Sequence, residues 1–298
     1  MLQHTLDRAS ALFSPERILT VINERHARYW SSCVQRPVGE VLEQPCDRGT
    51  ASSILLPLSM VLKRDPQATV FLLPSDHFVY PEKRFRSYVN EAMRLAEKHQ
   101  ESIVLLGAQP DGPEPEYGWI KPGATVDCSG LKLQSRSVEG FCEKPGHGAA
   151  EDLYAGNWLW NTMLVAVKAQ TLWRLAQSLL PAVVDRFETL GRVISAVVEK
   201  RVPREHLSIA LEHTYRYVPS ADFSRDIVQA ATEQCLVRPI VLPMLGVHWS
   251  DWGHPERIVS TLSNLRRTLP ETASFNVGWS ATAWEPREAL PAVCFNLH

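Results

Sequence analysis

The sequence predicts an α/β fold organised on a mainly parallel central sheet with a mixed or antiparallel extension. Three observations predict it. The segments VFLLP (70–74) and SIVLLGA (102–108) are uninterrupted apolar runs of strand length, the pattern of strands covered on both faces. Between them Phe85, Tyr88, Val89, Ala92, Leu95 and Ala96 recur at helical spacing and mark one apolar face. Strand and helix therefore alternate, as crossovers between parallel strands require. The chain has 298 residues, 45% hydrophobic and 21% charged, enough apolar side chain for a sizeable core, so intrinsic disorder is excluded.

The elements follow in order. Leu2, Leu6, Ala9 and Phe13 predict an amphipathic helix almost at Met1, closed by Ser14-Pro15. RILTVI (17–22) has strand length and leads into a polar, aromatic stretch ending near Trp30. TASSILLPLSMVL (50–62) predicts a helix with Thr50 as its N-cap and Pro57 awkwardly inside. Beyond residue 115 the texture changes to short strands, LKLQSRSV, GFCEK and MLVAVK, separated by Gly and Pro turns. Helical texture returns over 169–200. A strand RPIVLP (238–243), a loop holding HWSDWGH and a helix near 256–268 complete a domain expected to span 1–268. Residues 269–298 carry no period and read as an irregular tail.

Lys and Arg number 31 against 33 Asp and Glu, a net charge of −2, so no overall positive field is available for nucleic acid or an anionic membrane. No apolar run approaches membrane-spanning length, and the first residues lack a signal-peptide pattern. The six cysteines are scattered without a C-x-x-C pair, which predicts reduced thiols and a cytoplasmic protein.

Ligands of open α/β sheets bind beyond the carboxyl ends of strands, so residues that follow strands are the candidates for chemistry. Asp76 follows VFLLP directly and suits Mg²⁺, a hard cation that takes one or two carboxylates and completes its shell with phosphates; it could equally cap a turn. Asp251 lies in a loop between Trp249 and Trp252, aromatics that line a pocket or pack a corner. With His248 and His254 it could alternatively form part of a zinc site. Glu143 and Lys144 end a short strand, where a carboxylate can accept sugar hydroxyls and a lysine can meet a phosphate; a surface ion couple is the plainer reading. No nucleophile elbow, P-loop or G-x-G-x-x-G occurs.

Taken in order, these pieces resemble the sugar-1-phosphate nucleotidylyltransferases, and within them the mannose-1-phosphate guanylyltransferases. The matching segments begin with MLQHTLDRA and PERILTVINERH and continue with Gln44-Pro45-Cys46-Asp47-Arg48-Gly49-Thr50-Ala51, Leu73-Pro74-Ser75-Asp76-His77 and Glu116-Tyr117-Gly118-Trp119-Ile120. Phe141-Cys142-Glu143-Lys144-Pro145, Trp160-Asn161-Thr162 and Trp249-Ser250-Asp251-Trp252-Gly253 complete the series. The resemblance implies a Rossmann-like nucleotide-diphospho-sugar transferase fold. It implies Asp76 and Asp251 as ligands of a catalytic Mg²⁺, Lys144 on the sugar phosphate, and Gly118, Glu143 and Asn161 on the sugar. Gln44, Arg48 and Thr50 would lie near the nucleotide. The implied reaction is attack of mannose-1-phosphate on the α-phosphorus of GTP, releasing pyrophosphate and forming GDP-mannose.

Three departures accompany the resemblance. The glycine-rich loop G-G-x-G-x-R that cradles the triphosphate, with its strand, is absent from the sequence. Its lack predicts poor turnover, and either marginal stability or self-association, for example into a homo-oligomer. A glutamate at the base-facing position is Gln44, and the glycine two residues after the asparagine is Met163. Two further readings stand beside the enzyme: a non-catalytic sugar-nucleotide binding or regulatory protein, and a metal-dependent phosphoesterase using the same carboxylates.

Overall fold

The computed structural model describes residues 1–126, 133–203 and 205–268. The expected opening helix is α1 (Leu2–Ser10), with Leu6 and Ala9 buried. It is followed by β1 (Leu19–Asn23), α2 (Glu24–Cys33), β2 (Glu40–Gln44) and α3 (Gly49–Arg64). Helix α2 carries no apolar period that would predict it; Asn23 caps it, its side chain accepting the Arg25 N–H at 3.0 Å. Thr50 does not cap α3, because Arg48 occupies the cap position and Thr50 lies in the first turn. Next come β3 (Thr69–Leu72), β4 (His77–Tyr80), α4 (Glu82–Lys98) and β5 (Ile103–Ala108). Every residue of β3 and β5 is buried, as their apolar runs predict.

The region of changed texture contains β6 (Gly118–Thr125), β7 (Arg136–Cys142), α5 (His147–Ala155) and β8 (Leu159–Lys168). The end of LKLQSRSV and the start of GFCEK form one strand, β7, while residues 127–132 lie outside the described residues. Helices α6 (Ala169–Leu179), α7 (Pro181–Val198) and α8 (Glu205–Tyr217) supply the expected helical stretch. A π-helical turn (Ser224–Gln229), α9 (Ala230–Glu233), β9 (Ile240–Pro243), β10 (His248–Asp251) and α10 (Pro255–Thr268) follow. The expected tail 269–298 lies outside the described residues.

The fold class holds, but strand directions correct the mainly parallel expectation. The largest sheet has the order β3-β8-β5-β9-β7-β6. Of its neighbours only β5 and β9 run parallel; β8 lies antiparallel to β3, β5 and β6, and β7 is antiparallel to β6 and β9. The strands expected to be parallel, β3, β5 and β9, do point the same way; the difference is that β8, from the region expected to form the extension, inserts antiparallel between β3 and β5. Strand β6 also pairs with β8, so β5, β9, β7, β6 and β8 form a closed circuit of hydrogen-bonded neighbours. Two pairs stand apart, the parallel β1–β2 and the antiparallel β4–β10.

Two buried clusters cover the sheet. One gathers α3, α6 and α7 through Ile54, Leu55, Leu172 and Phe187; the other gathers α4 through Phe85, Val89 and Ala92 with Phe71 and Leu106. Helix α1 is fastened at the carboxyl end of β3: Thr5 Oγ1 donates to the Ser75 carbonyl at 2.9 Å, and the buried Arg8 pairs with Glu82 at 2.9 Å and donates to the His77 carbonyl at 3.2 Å. Among the described residues no helix is long and apolar enough to cross a membrane, and Cys46, Cys142 and Cys235 are free thiols.

Candidate active site

The turn after β3 carries Asp76, and β4–β10 pairing brings Asp251 beside it. Asp251 is in register with His77, and the Trp252 N–H donates to the Asp76 carbonyl at 3.0 Å. The two aspartates, 175 positions apart by number, thus share one end of the molecule and line the same cavity of about 450 Å³. The expected loop at HWSDWGH is therefore partly strand, and the strand is what delivers Asp251.

Aromatic packing sets this corner. Trp249 Nε1 donates to His77 Nδ1 at 3.2 Å, which leaves the proton of a neutral His77 on Nε2, 3.9 Å from Asp76 Oδ1. Tyr117 packs edge-on against Trp160 and Trp249, with centroids 5.0 and 5.1 Å away, and its hydroxyl donates to Asp251 Oδ1 at 2.9 Å. Burial, with the Asp251 charge adding to it, pushes the Tyr117 hydroxyl well above its ordinary pKa, so it stays a donor. Arg257 meets the same oxygen from α10 at 2.5 Å.

A second cluster forms across β6, β7 and β8. Gly118 and Asn161 are register partners, and Glu143 follows the end of β7 directly. A Cβ on Gly118 would lie 2.4 Å from Glu143 Oε2 and 3.0 Å from the Asn161 Cβ, so only glycine lets the carboxylate approach. Glu143 lines the cavity, and its Oε2 is buried with no hydrogen-bond partner among the described residues. Burial raises the Glu143 carboxyl to about 7; the Asp222 charge adds to the rise, while Lys144, Arg225 and a hydrogen bond from Asn161 oppose it. Asn161 Nδ2 donates to Ser224 Oγ at 3.1 Å and its Oδ1 accepts the Met163 N–H at 3.2 Å. Lys144 and Met163 both hold left-handed backbone, φ 48° and 53°, which a glycine would adopt without cost. At Met163 that accounts for the glycine expected from the resemblance.

The residues assigned to the nucleotide separate. Thr50 lines the cavity; its hydroxyl donates to Asp222 at 3.3 Å and accepts the Phe223 N–H at 2.7 Å. Gln44 and Arg48 are absent from the lining and tie the loop to α8. Gln44 Oε1 takes the hydroxyls of Ser53 at 3.0 Å and Tyr215 at 3.1 Å, and Arg48 Nε donates to the Tyr215 carbonyl at 2.7 Å. Asp222, Tyr117 and Arg257 join the site without a sequence signal of their own; Asp222 follows no periodic pattern, whereas Tyr117 sits inside the Glu116–Ile120 segment already noted. Among the described residues no group of three or more His, Cys, Asp or Glu gathers as a metal cage, and His254 faces Glu116 at 3.6 Å instead of completing a zinc set.

Comparison with known proteins decides the family. The sequence profile of the nucleotidyl transferase family matches residues 1–267. The chain belongs to the nucleotidyl transferase family. Mannose-1-phosphate guanylyltransferase 2 of Escherichia coli O157:H7 is 30% identical over 269 residues, which are 85% of this chain and 51% of that protein. Mannose-1-phosphate guanylyltransferase ManC of Salmonella typhimurium strain LT2 is 26% identical over 261 residues, 85% of this chain and 50% of its own length. The chain thus spans about half the length of these two relatives. The crystal structure of a Thermus thermophilus protein described as mannose-1-phosphate geranyltransferase superposes with a TM-score of 0.71 at 25% identity, over 88% of this chain and 69% of that one. The fold is also that of a Helicobacter pylori protein described as mannose-6-phosphate isomerase, TM-score 0.63 at 19% identity, over 84% of this chain and 90% of that one.

Proposed function

We propose that this nucleotidyl transferase moves a nucleotidyl group from GTP to mannose-1-phosphate, releasing pyrophosphate and forming GDP-mannose. The carrying observation is that Asp76 and Asp251 share one cavity of about 450 Å³ with Gly118, Glu143, Lys144 and Asn161. The guanylyltransferase relatives support the choice of sugar and base.

The cavity also favours a hard divalent cation. Its lining carries Asp76, Glu116, Glu143, Asp222 and Asp251 against Lys144 and Arg257, an acidic excess that by itself repels phosphates. Asp76 and Asp251 would hold Mg²⁺, two carboxylates sufficing where substrate phosphates complete the shell. Bound there, the ion neutralises phosphate charge and polarises the α-phosphoryl group. Lys144 supplies a point charge for the sugar phosphate. Glu143 and Asn161 orient the hexose, Glu143 through its unmatched Oε2. Positioning of the two substrates in line is the main service the protein renders in such a transfer.

The assay is pyrophosphate release with both substrates and Mg²⁺. Release that requires both GTP and mannose-1-phosphate, and that falls at least about a hundredfold in Asp76→Asn and Asp251→Asn, is the expected result. Binding of GDP-mannose without any pyrophosphate release would replace this reading with the non-catalytic one.

A further inference from the structure

The clearest unassigned feature of the site is Arg257, in the first turn of α10, whose side chain is only 15% exposed. Its Nη1 donates to Asp251 Oδ1 at 2.5 Å, and its Nη2 donates to Glu116 Oε2 at 2.7 Å and lies 3.6 Å from Glu114 Oε1. Its Cζ sits 4.5 Å over the Tyr117 ring. One guanidinium therefore serves three carboxylates, one of them the proposed metal ligand. With the Tyr117 hydroxyl on the same atom, Asp251 Oδ1 already has two donors.

A cation held at a ligand carboxylate is a competitor for the metal, since each neutralises the same charge. Space for its retreat exists. Arg257 lines both the main cavity and a neighbouring one of about 130 Å³, where Glu114, Ser260 and Thr261 also lie. Glu114 lines that second cavity and Asp251 does not.

We propose that Arg257 is the internal counter-cation of Asp251, a positioning residue that a divalent ion must displace toward the smaller cavity before Asp251 can ligate it. The proposal rests on the metal role given to Asp251 above. It makes the acidic corner stable without metal, at the expense of metal affinity.

The test is Mn²⁺ binding to the whole chain, followed by electron paramagnetic resonance of the free ion, in wild type, Arg257→Gln, Arg257→Lys and Asp251→Asn. Removing a positive charge next to a divalent ion raises its affinity, so Arg257→Gln should bind Mn²⁺ about tenfold more tightly than wild type. Arg257→Lys, which keeps the charge, should stay near wild type, and Asp251→Asn should lose binding. In wild-type protein, where no variant needs to fold, the Arg257 Nε–H nuclear magnetic resonance signal should shift on Mg²⁺ titration. Unchanged or weaker Mn²⁺ binding in Arg257→Gln, with Asp251→Asn still defective, overturns the counter-cation and leaves the metal role of Asp251 standing. The counter-cation also fails if Arg257→Lys behaves like Arg257→Gln, or if the Arg257 signal stays fixed at saturating Mg²⁺. Absence of Mn²⁺ binding in every protein, Arg257→Gln included, overturns both.

Discussion

Replacing Glu143 by glutamine separates what this carboxylate does for stability from what it does for binding. Its carboxyl is raised from the ordinary 4.5 to about 7, chiefly by burial and then by the Asp222 charge. Below about 4.5 the native and unfolded chains both hold the proton, so ionisation has no effect on stability. As pH rises from there to about 7 the unfolded chain releases the proton first, and stability falls. Above about 7 the full cost is present, at most about 3 kcal/mol for a gap of this size. Glutamine keeps the shape and removes the ionisation. Glu143→Gln should therefore match wild type near pH 4 and exceed its stability by up to about 3 kcal/mol at pH 8, read by urea unfolding across that range. Its affinity for mannose-1-phosphate should fall at the same time, because an amide is a poorer acceptor for sugar hydroxyls than a carboxylate. A stability difference that stays constant from pH 4 to pH 8 would refute the argument, since only ionisation can make it change.

Two other substitutions probe the supports of the site. Gly118→Ala places a methyl 2.4 Å from Glu143 Oε2, so the carboxylate must turn away; the expected outcome is a loss of about 1–3 kcal/mol in thermal unfolding and weaker mannose-1-phosphate binding by calorimetry. Wild-type binding by Gly118→Ala would show that Glu143 does not face the sugar. Arg8→Leu removes the buried partner of Glu82 and the donor to the His77 carbonyl, and should cost about 3 kcal/mol in chemical unfolding. An unaltered transition midpoint would mean that α1 is held by its apolar face alone.

The legible parts of this molecule are those written in local pattern. The runs that form β3 and β5, the face of α4, and the placement of Asp76 just past a strand all follow from neighbouring residues. Segment order groups Gly118, Glu143 and Asn161 by family likeness, and the sheet then brings the same three into contact. What stays hidden depends on partners far along the chain. Thr50 reads as a cap until Asp222, 172 residues away, claims its hydroxyl. Arg257 carries no signal of its own in the sequence, and joins the site only because Glu116, 141 residues earlier, folds against it. Gln44 carries no sign that Tyr215 and Ser53 will take its carbonyl oxygen. The insertion of β8 between β3 and β5 is hidden for a different reason, because side-chain hydropathy reports that a strand is buried and not which strands flank it.

The closed circuit of β5, β9, β7, β6 and β8 anchors the two halves of the site in different ways. Gly118 and Asn161 sit within that ring and Glu143 at its exit, so displacing any of them strains hydrogen bonds on both sides. Asp251 ends the separate two-stranded β4–β10 pair and Asp76 lies just before β4, both held to the rest of the molecule by side chains, among them Arg8, Tyr117 and Arg257. In the proposed reaction the groups assigned to the sugar therefore sit on a ring of backbone hydrogen bonds, while the groups assigned to the metal are held to that ring through side chains.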